Sequence, residues 1–321
     1  MQKWTGLLDW STRHHDGTVP SEARPMTKED RDFLEKALDE SMIREDAKMM
    51  REIVDDLKNP DRSAEQQEES LQDLLDYIVQ IDNANDLHKI GGLQAVAGFL
   101  ESPEAGPVCA AADCVAAVVQ NNPEGQEAVL SVGGLSKALA LLTNDDAAVR
   151  AKGVYVLSGL LRNCAPALRE FEASDGLAAL ASTLSQNPSK ARTKALFLMP
   201  ALFHESTALA SRAIELSLHT ALAPVCAQPE EVGDDRRHAQ LCLTELCQAD
   251  PGCFATCAGL GIDAALAQLE DALEAQIRQE DDADAREDLQ QQMTATRDLR
   301  RALTTPPEIS RQSSAGLLTP P

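Results

Sequence analysis

The sequence predicts an all-α, right-handed superhelical solenoid of about four short helical repeats, closed by capping helices at both ends. Composition, a recurring glycine–leucine pattern and a constant period lead there. Hydrophobic residues make up 43% of the 321-residue chain while aromatics make up only 3%. A core of Leu, Ala and Val suits closely packed helices better than sheets, which favour β-branched and aromatic residues. The segments IGGLQAVAGFL, VGGLSKALALL and SDGLAALASTL place Gly92, Gly134 and Gly176 forty-two residues apart. Each glycine precedes apolar residues that share one helical face: Leu93/Val96/Leu100, Leu135/Ala138/Leu142 and Leu177/Leu180/Leu184. Weaker copies follow at Leu218/Ala221/Val225, where Ser217 replaces the glycine, and at Ile262/Ala265/Leu269.

After a polar turn, each short helix gives way to a longer one. TNDDAAVRAKGVYVLSGLLRN is the clearest; GPVCAAADCVAAVVQNN, SKARTKALFLMPALFHE and DDRRHAQLCLTELCQAD are its counterparts. Alignment without gaps makes Cys114, Tyr155, Phe197 and Leu241 equivalent. A period in the low forties with two or three helices per unit is that of armadillo and HEAT solenoids, whose repeats bury their apolar faces only by stacking.

In chain order, residues 1–25 form a flexible segment and 26–82 an N-terminal cap. Thr27 with Asp30 opens a helix over about 28–57, and the capping box Ser63/Gln66 opens another to about 81. Residues 83–270 hold the repeats. Two helices over about 262–279 and 283–304 complete the C-terminal end, with 271–304 as its cap, and 305–321 read as a disordered tail.

The formal net charge is −23, with acid concentrated in residues 28–76 and 270–290. This argues against nucleic acid or an anionic membrane as the main partner. Neither a secretory leader nor a retention or lipidation signal is recognisable, so a reducing, cytoplasmic location is expected. The eight cysteines read as small hydrophobes in helices. His238, Cys242, Cys253 and Cys257 could be imagined as metal ligands, but no C-x-x-C pair supports them, and no metal or cofactor is expected. There is no phosphate-binding loop, no H-E-x-x-H and no G-x-S-x-G. Gly259-x-Gly261-x-x-Ala264 lacks the strand–turn–helix context of a dinucleotide site. No enzyme is expected.

On the long helices, the i, i+3, i+7 sets are Ala111/Cys114/Val118, Lys152/Tyr155/Gly159, Lys194/Phe197/Ala201 and His238/Leu241/Glu245. This helix lines the groove of armadillo proteins. Arg150, Arg192 and Arg236 repeat in register two residues before each of the later sets. A basic stripe in so acidic a chain predicts a groove that receives an acidic protein surface, while turn capping and pairing with Asp145, Asp146, Asp234 and Asp235 is its alternative. An importin-like ladder of Asn is disfavoured, because Gly159, Ala201 and Glu245 occupy the required positions.

The segments LLDW, MTKEDRDFLEKAL, IDNANDLHKIGGL, VVQNNPEGQEAVLSVGGL, VRAKGVYVLSGLLRN and RTKALFLMPAL occur in that order. Together they resemble the armadillo-type nucleotide exchange factors of the seventy-kilodalton heat-shock protein, well over residues 1–205 and more weakly through 206–304. The resemblance implies a co-chaperone whose concave face grips the chaperone's nucleotide-binding domain and promotes ADP release; a monomer is the default expectation, and the sequence leaves the oligomeric state open. Carried onto matching positions, the contact surface includes Asp82, Asn83, Ala84, Asn85, Gln120 and Asn121. Lys194 is then a central basic contact, with Arg150, Lys152, Tyr155, Arg192 and Phe197 nearby. Asn83, Asn85, Asn121 and Asn122 also suit turn chemistry between helices. In such factors a flexible N-terminal segment can occupy the chaperone's substrate groove; here that segment holds Trp4, Leu7, Leu8 and Trp10. A general armadillo adaptor without effect on nucleotide is the alternative function.

Overall fold

A computed structural model describes Lys28 and residues 43–185, 189–228 and 233–307. The N-terminal segment with Trp4, Leu7, Leu8 and Trp10, the Thr27/Asp30 box and the tail beyond 307 lie outside the described residues.

Seventeen α-helices follow one another among those residues, with no strand. The cap comprises α1 (Ile43–Leu57) and α2 (Ala64–Ile78). Ser63 accepts from the Gln66 amide while the Gln66 side chain accepts from the Ser63 amide, forming the expected capping box. The first repeat is α3 (Ile81–Lys89), α4 (Gly92–Phe99) and α5 (Ala105–Val119). The second is α6 (Pro123–Ser131), α7 (Gly134–Leu141) and α8 (Ala147–Leu161), and the third α9 (Ala165–Ala173), α10 (Gly176–Ser182) and α11 (Lys190–Glu205). The fourth is α12 (Thr207–Glu215), α13 (Leu218–Ala227) and α14 (Gly233–Ala249). A last set, α15 (Pro251–Ala258), α16 (Asp263–Gln279) and α17 (Ala283–Thr304), closes the chain. The long helices α2, α5, α8, α11, α14 and α17 pack each against the next in one continuous layer. Five three-helix units therefore follow the cap, because α15–α17 repeat the pattern.

The junction between the two short helices sets the period. Gly91, Gly133, Asp175 and Ser217 have positive φ values of 73°, 72°, 49° and 57°. They stand forty-two residues apart, so the left-handed residue is the one before the expected glycine. Gly92, Gly134 and Gly176 serve instead as close-approach points: an added Cβ would come within 2.4, 2.3 and 2.3 Å of Leu87, Val129 and Phe171. Ser217 is thus the left-handed residue of the fourth repeat, and Leu218 occupies the close-packed glycine's place. The expected face Leu218/Ala221/Val225 is corrected accordingly. Leu218, Leu222 and Cys226 are buried, while Ala221 is exposed, because a one-residue shift turns a helix by about 100°.

The core is a single apolar cluster running from Met50 to Leu303, with a satellite of Leu269, Leu273 and Met293 between α16 and α17. Buried amides stitch the repeats together. The Asn122 amide donates to Asn85 Oδ1 at 2.8 Å, and that of Gln126 to the Gly159 and Arg162 carbonyls at 2.9 and 3.0 Å. All eight cysteines are free thiols, and all but Cys109 are buried. Burial pushes the thiols of Cys114, Cys226 and Cys242 upward. Among the described residues no three His, Cys, Asp or Glu side chains converge on a metal-binding position. CFATC is helical, within α15, so the loose dinucleotide pattern has no strand before it.

Gly134→Ala would push its Cβ toward the Val129 carbonyl oxygen, 2.8 Å away, and is expected to cost about 1–3 kcal/mol in urea denaturation. Gly98→Ala, whose Cβ meets nothing within 4 Å, should hold or raise stability by up to about 1 kcal/mol.

Candidate functional site

The exposed side of the long-helix layer is built from rows of equivalent residues. Helices α5 and α8 begin forty-two residues apart, so Tyr155 is equivalent to Asp113 and not to Cys114. Cys114, Ala111 and Val118 are fully buried, which corrects the expected face of the first long helix by one residue. With the register set, one diagonal contact recurs. Lys152 of α8 pairs with Asp113 of α5, and Lys194 of α11 lies 4.8 Å over the Tyr155 ring of α8. His238 of α14 meets the Phe197 ring of α11 edge-on at 5.2 Å.

The two rings of these contacts, Tyr155 and Phe197, help to wall a cleft of about 560 Å³ that Gln120, Asn121, Ser158 and Arg162 also line. Tyr155 and Phe197 are 37% and 50% exposed, large fractions for aromatic rings in a chain so poor in them. Arg162, just beyond α8, stacks its guanidinium 4.8 Å from the Phe197 centroid. Asn121 is left-handed, with φ 52°, and leaves its side chain exposed at the rim. Burial holds the imidazole of His238, the ring that faces Phe197, below its usual range.

The cleft brings together Gln120, Asn121, Tyr155 and Phe197, with Lys194 on the Tyr155 ring. It does not gather the whole predicted stripe. Arg192 is buried and its Nε lies 3.3 Å from Asp235 Oδ2 of the next long helix, both side chains being under 5% exposed. Arg150 donates to the Asn144 and Asp145 carbonyls at 2.7 and 2.8 Å, clamping the turn before its own helix. Arg236 is buried against Gln292 and the Gln228 carbonyl. The stripe is structural, and the reason is angular: two residues before Lys152 or Lys194 is about 200° around the helix. Lys152 stays on the groove face, but Asp113 neutralises it.

At the N-terminal rim, Asp82 is exposed beside Val79 and Ile81, two apolar side chains at 68% and 54% exposure. Asn85 is half-buried and accepts from Asn122. Asn83 is buried, donating to the Tyr77 carbonyl at 3.1 Å, and Ala84 is buried at 1%. Asn83 and Ala84 therefore pack α3 rather than present a contact, and Ala84→Arg would force a guanidinium into the core. Arg162 is the groove residue that sequence reasoning missed. Carrying the face one turn further, from Tyr155 and Gly159 to the seventh residue, would have reached it.

Comparison with known proteins places these elements among relatives. The SIL1/FES1/HPBP1 C-terminal domain model matches residues 83–231, and the model "Nucleotide exchange factor Fes1" matches residues 4–87. The chain is 33% identical over 189 residues to the Hsp70 nucleotide exchange factor FES1 of Mycosarcoma maydis, covering 59% of this chain and 49% of that one. It is 31% identical over 208 residues to human Hsp70-binding protein 1, covering 60% and 58% respectively. The chain thus spans about half the length of the curated relatives it matches. Among solved structures, a designed armadillo repeat protein superposes with a TM-score of 0.62 at 13% identity, over 77% of this chain and 99% of that one. That likeness establishes the armadillo fold.

Asp235→Ala should cost about 3–5 kcal/mol in chemical denaturation because it breaks a buried ion pair. Lys194→Glu, on an exposed side chain, should leave stability within about 0.5 kcal/mol.

Proposed function

Because the chain belongs to the SIL1/FES1/HPBP1 family, we propose that it is a co-chaperone which binds the nucleotide-binding domain of a seventy-kilodalton heat-shock protein and promotes ADP release. The observation that carries this reading is the cleft on the long-helix layer. It lies within the segment that the family model matches, and it presents exposed rings and un-neutralised cations in a chain of net charge −23.

The proposed mechanism needs no catalytic group. The concave face, centred on Tyr155, Arg162, Lys194 and Phe197, grips an acidic surface of the nucleotide-binding domain; Gln120, Asn121, Asp82 and the edge of Asn85 extend the contact. If the grip favours the open, nucleotide-poor conformation, reciprocity weakens ADP binding by the same factor. A tenfold preference corresponds to about 1.4 kcal/mol, which a few groove contacts can supply. The partner is proposed to be cytosolic and the factor monomeric. The segment with Trp4, Leu7, Leu8 and Trp10 is proposed to occupy the chaperone's substrate groove and to help release client.

Stopped-flow release of fluorescent ADP from a cytosolic seventy-kilodalton chaperone tests the reading. Saturable acceleration is expected, and Lys194→Glu should reduce it by about tenfold or more, since a like charge then faces the acidic surface. Binding without acceleration would leave an armadillo adaptor. Deleting residues 1–20 should preserve ADP release and slow release of a bound client peptide; equal client release would remove that role from the segment.

A further inference from the structure

Several cations of the long helices and of the turns before them are already committed within the chain. Arg150 clamps a turn, Lys152 meets Asp113, Arg192 meets Asp235, and Arg237 donates to Gln291 and Asp234. Lys194 and Arg162 are different. No carboxylate of the described residues lies within salt-bridge distance of either, and the partner of each is an aromatic face. The Arg162 Nε is buried and finds no hydrogen-bond acceptor, although a guanidinium carries five donors. A cation without a counter-ion beside a cleft has its terminal donors available to an acceptor from outside the chain.

The two cations belong to one crossed arrangement. Lys194 and Phe197 lie one turn apart on α11, while Tyr155 and Arg162 lie seven residues apart along and just beyond α8. Each cation stacks on the ring of the other helix. Two rings thus stand in a cleft flanked by two positive charges. The Arg162 guanidinium carbon lies 4.8 Å over the Phe197 ring, a cation–π contact that leaves the planar fork's terminal donors for a carboxylate.

From this geometry we propose that Arg162 is a specificity-determining residue. It reads a partner carboxylate bidentately, with a second carboxylate on Lys194 and an apolar side chain seated between Tyr155 and Phe197. The proposal deepens the exchange-factor reading and rests on it. The partner motif is a pair of acidic residues separated by a hydrophobic one in space, and a charge-preserving change at Arg162 should not be tolerated. A Lys there keeps the long-range attraction but loses the planar fork and the stack.

The test is surface-immobilised binding of the chaperone's isolated nucleotide-binding domain by the full chain, as wild type, Arg162→Lys, Arg162→Ala and Lys194→Glu, with thermal melts as controls. Arg162→Lys should hold its association rate within about threefold of wild type while dissociating about tenfold faster; Arg162→Ala should lose about as much or more in affinity. Melting temperatures should stay unchanged in both. Wild-type binding with both Arg162 variants unaffected would overturn the assignment and leave the exchange-factor reading standing. Full rescue by Lys would also overturn it, since charge alone would then suffice. No binding by the wild type would remove the underlying reading, and this inference with it.

Discussion

Register between successive long helices is the constraint on which this molecule depends. No three-helix unit has enough apolar surface to fold alone, so each must present its buried stripe to the next with one fixed rotation. The left-handed residue at every forty-second position holds that rotation constant through four junctions. Once it is fixed, the side chains on each long helix have no freedom in what they face. One row enters the core, another meets the neighbouring helix, and a third is left to solvent.

That sorting explains why similar residues have different fates. Arg192 and Lys194 are two positions apart, yet one is buried against Asp235 and the other rests on an exposed ring. Both are basic, and only helical phase separates a strut from a contact. The diagonal pairs show the same economy. Asp113, Tyr155 and Phe197 are equivalent, and the cation or imidazole above each has the partner that position offers. Where that partner is a carboxylate the charge is cancelled, and where it is a ring the charge stays available.

Much of this could be read from the residues. The period, the cap at Ser63 and the bounds of α16 and α17 agree with the sequence reading to within a residue at most ends. The shared exposed face of Tyr155, Lys194 and Phe197 was legible from their spacing along the long helices. Phase within a repeat was not. Small residues such as Ala, Cys and Gly fit several faces, so Ala111/Cys114/Val118 and Ala110/Asp113/Ala117 look alike until a neighbouring helix chooses between them. Burial of Asn83, Ala84 and Arg192 depends on residues far away in sequence, and local pattern says nothing about them. Similarity to a family model marks a segment of the chain, and packing decides which of its side chains reach the surface.

The uneven placement of the thiols has a consequence for how the solenoid can be watched. Five of the seven buried cysteines, Cys226, Cys242, Cys247, Cys253 and Cys257, sit in α13, α14 and α15, whereas α5 holds Cys114 alone among them. A linear array opens piecewise when its ends fray, and each opening bares the sulfurs of that stretch and no others. The chain therefore carries its own position-coded reporters. The order in which its thiols become alkylated is a time-stamped record of which end of the array loosens first.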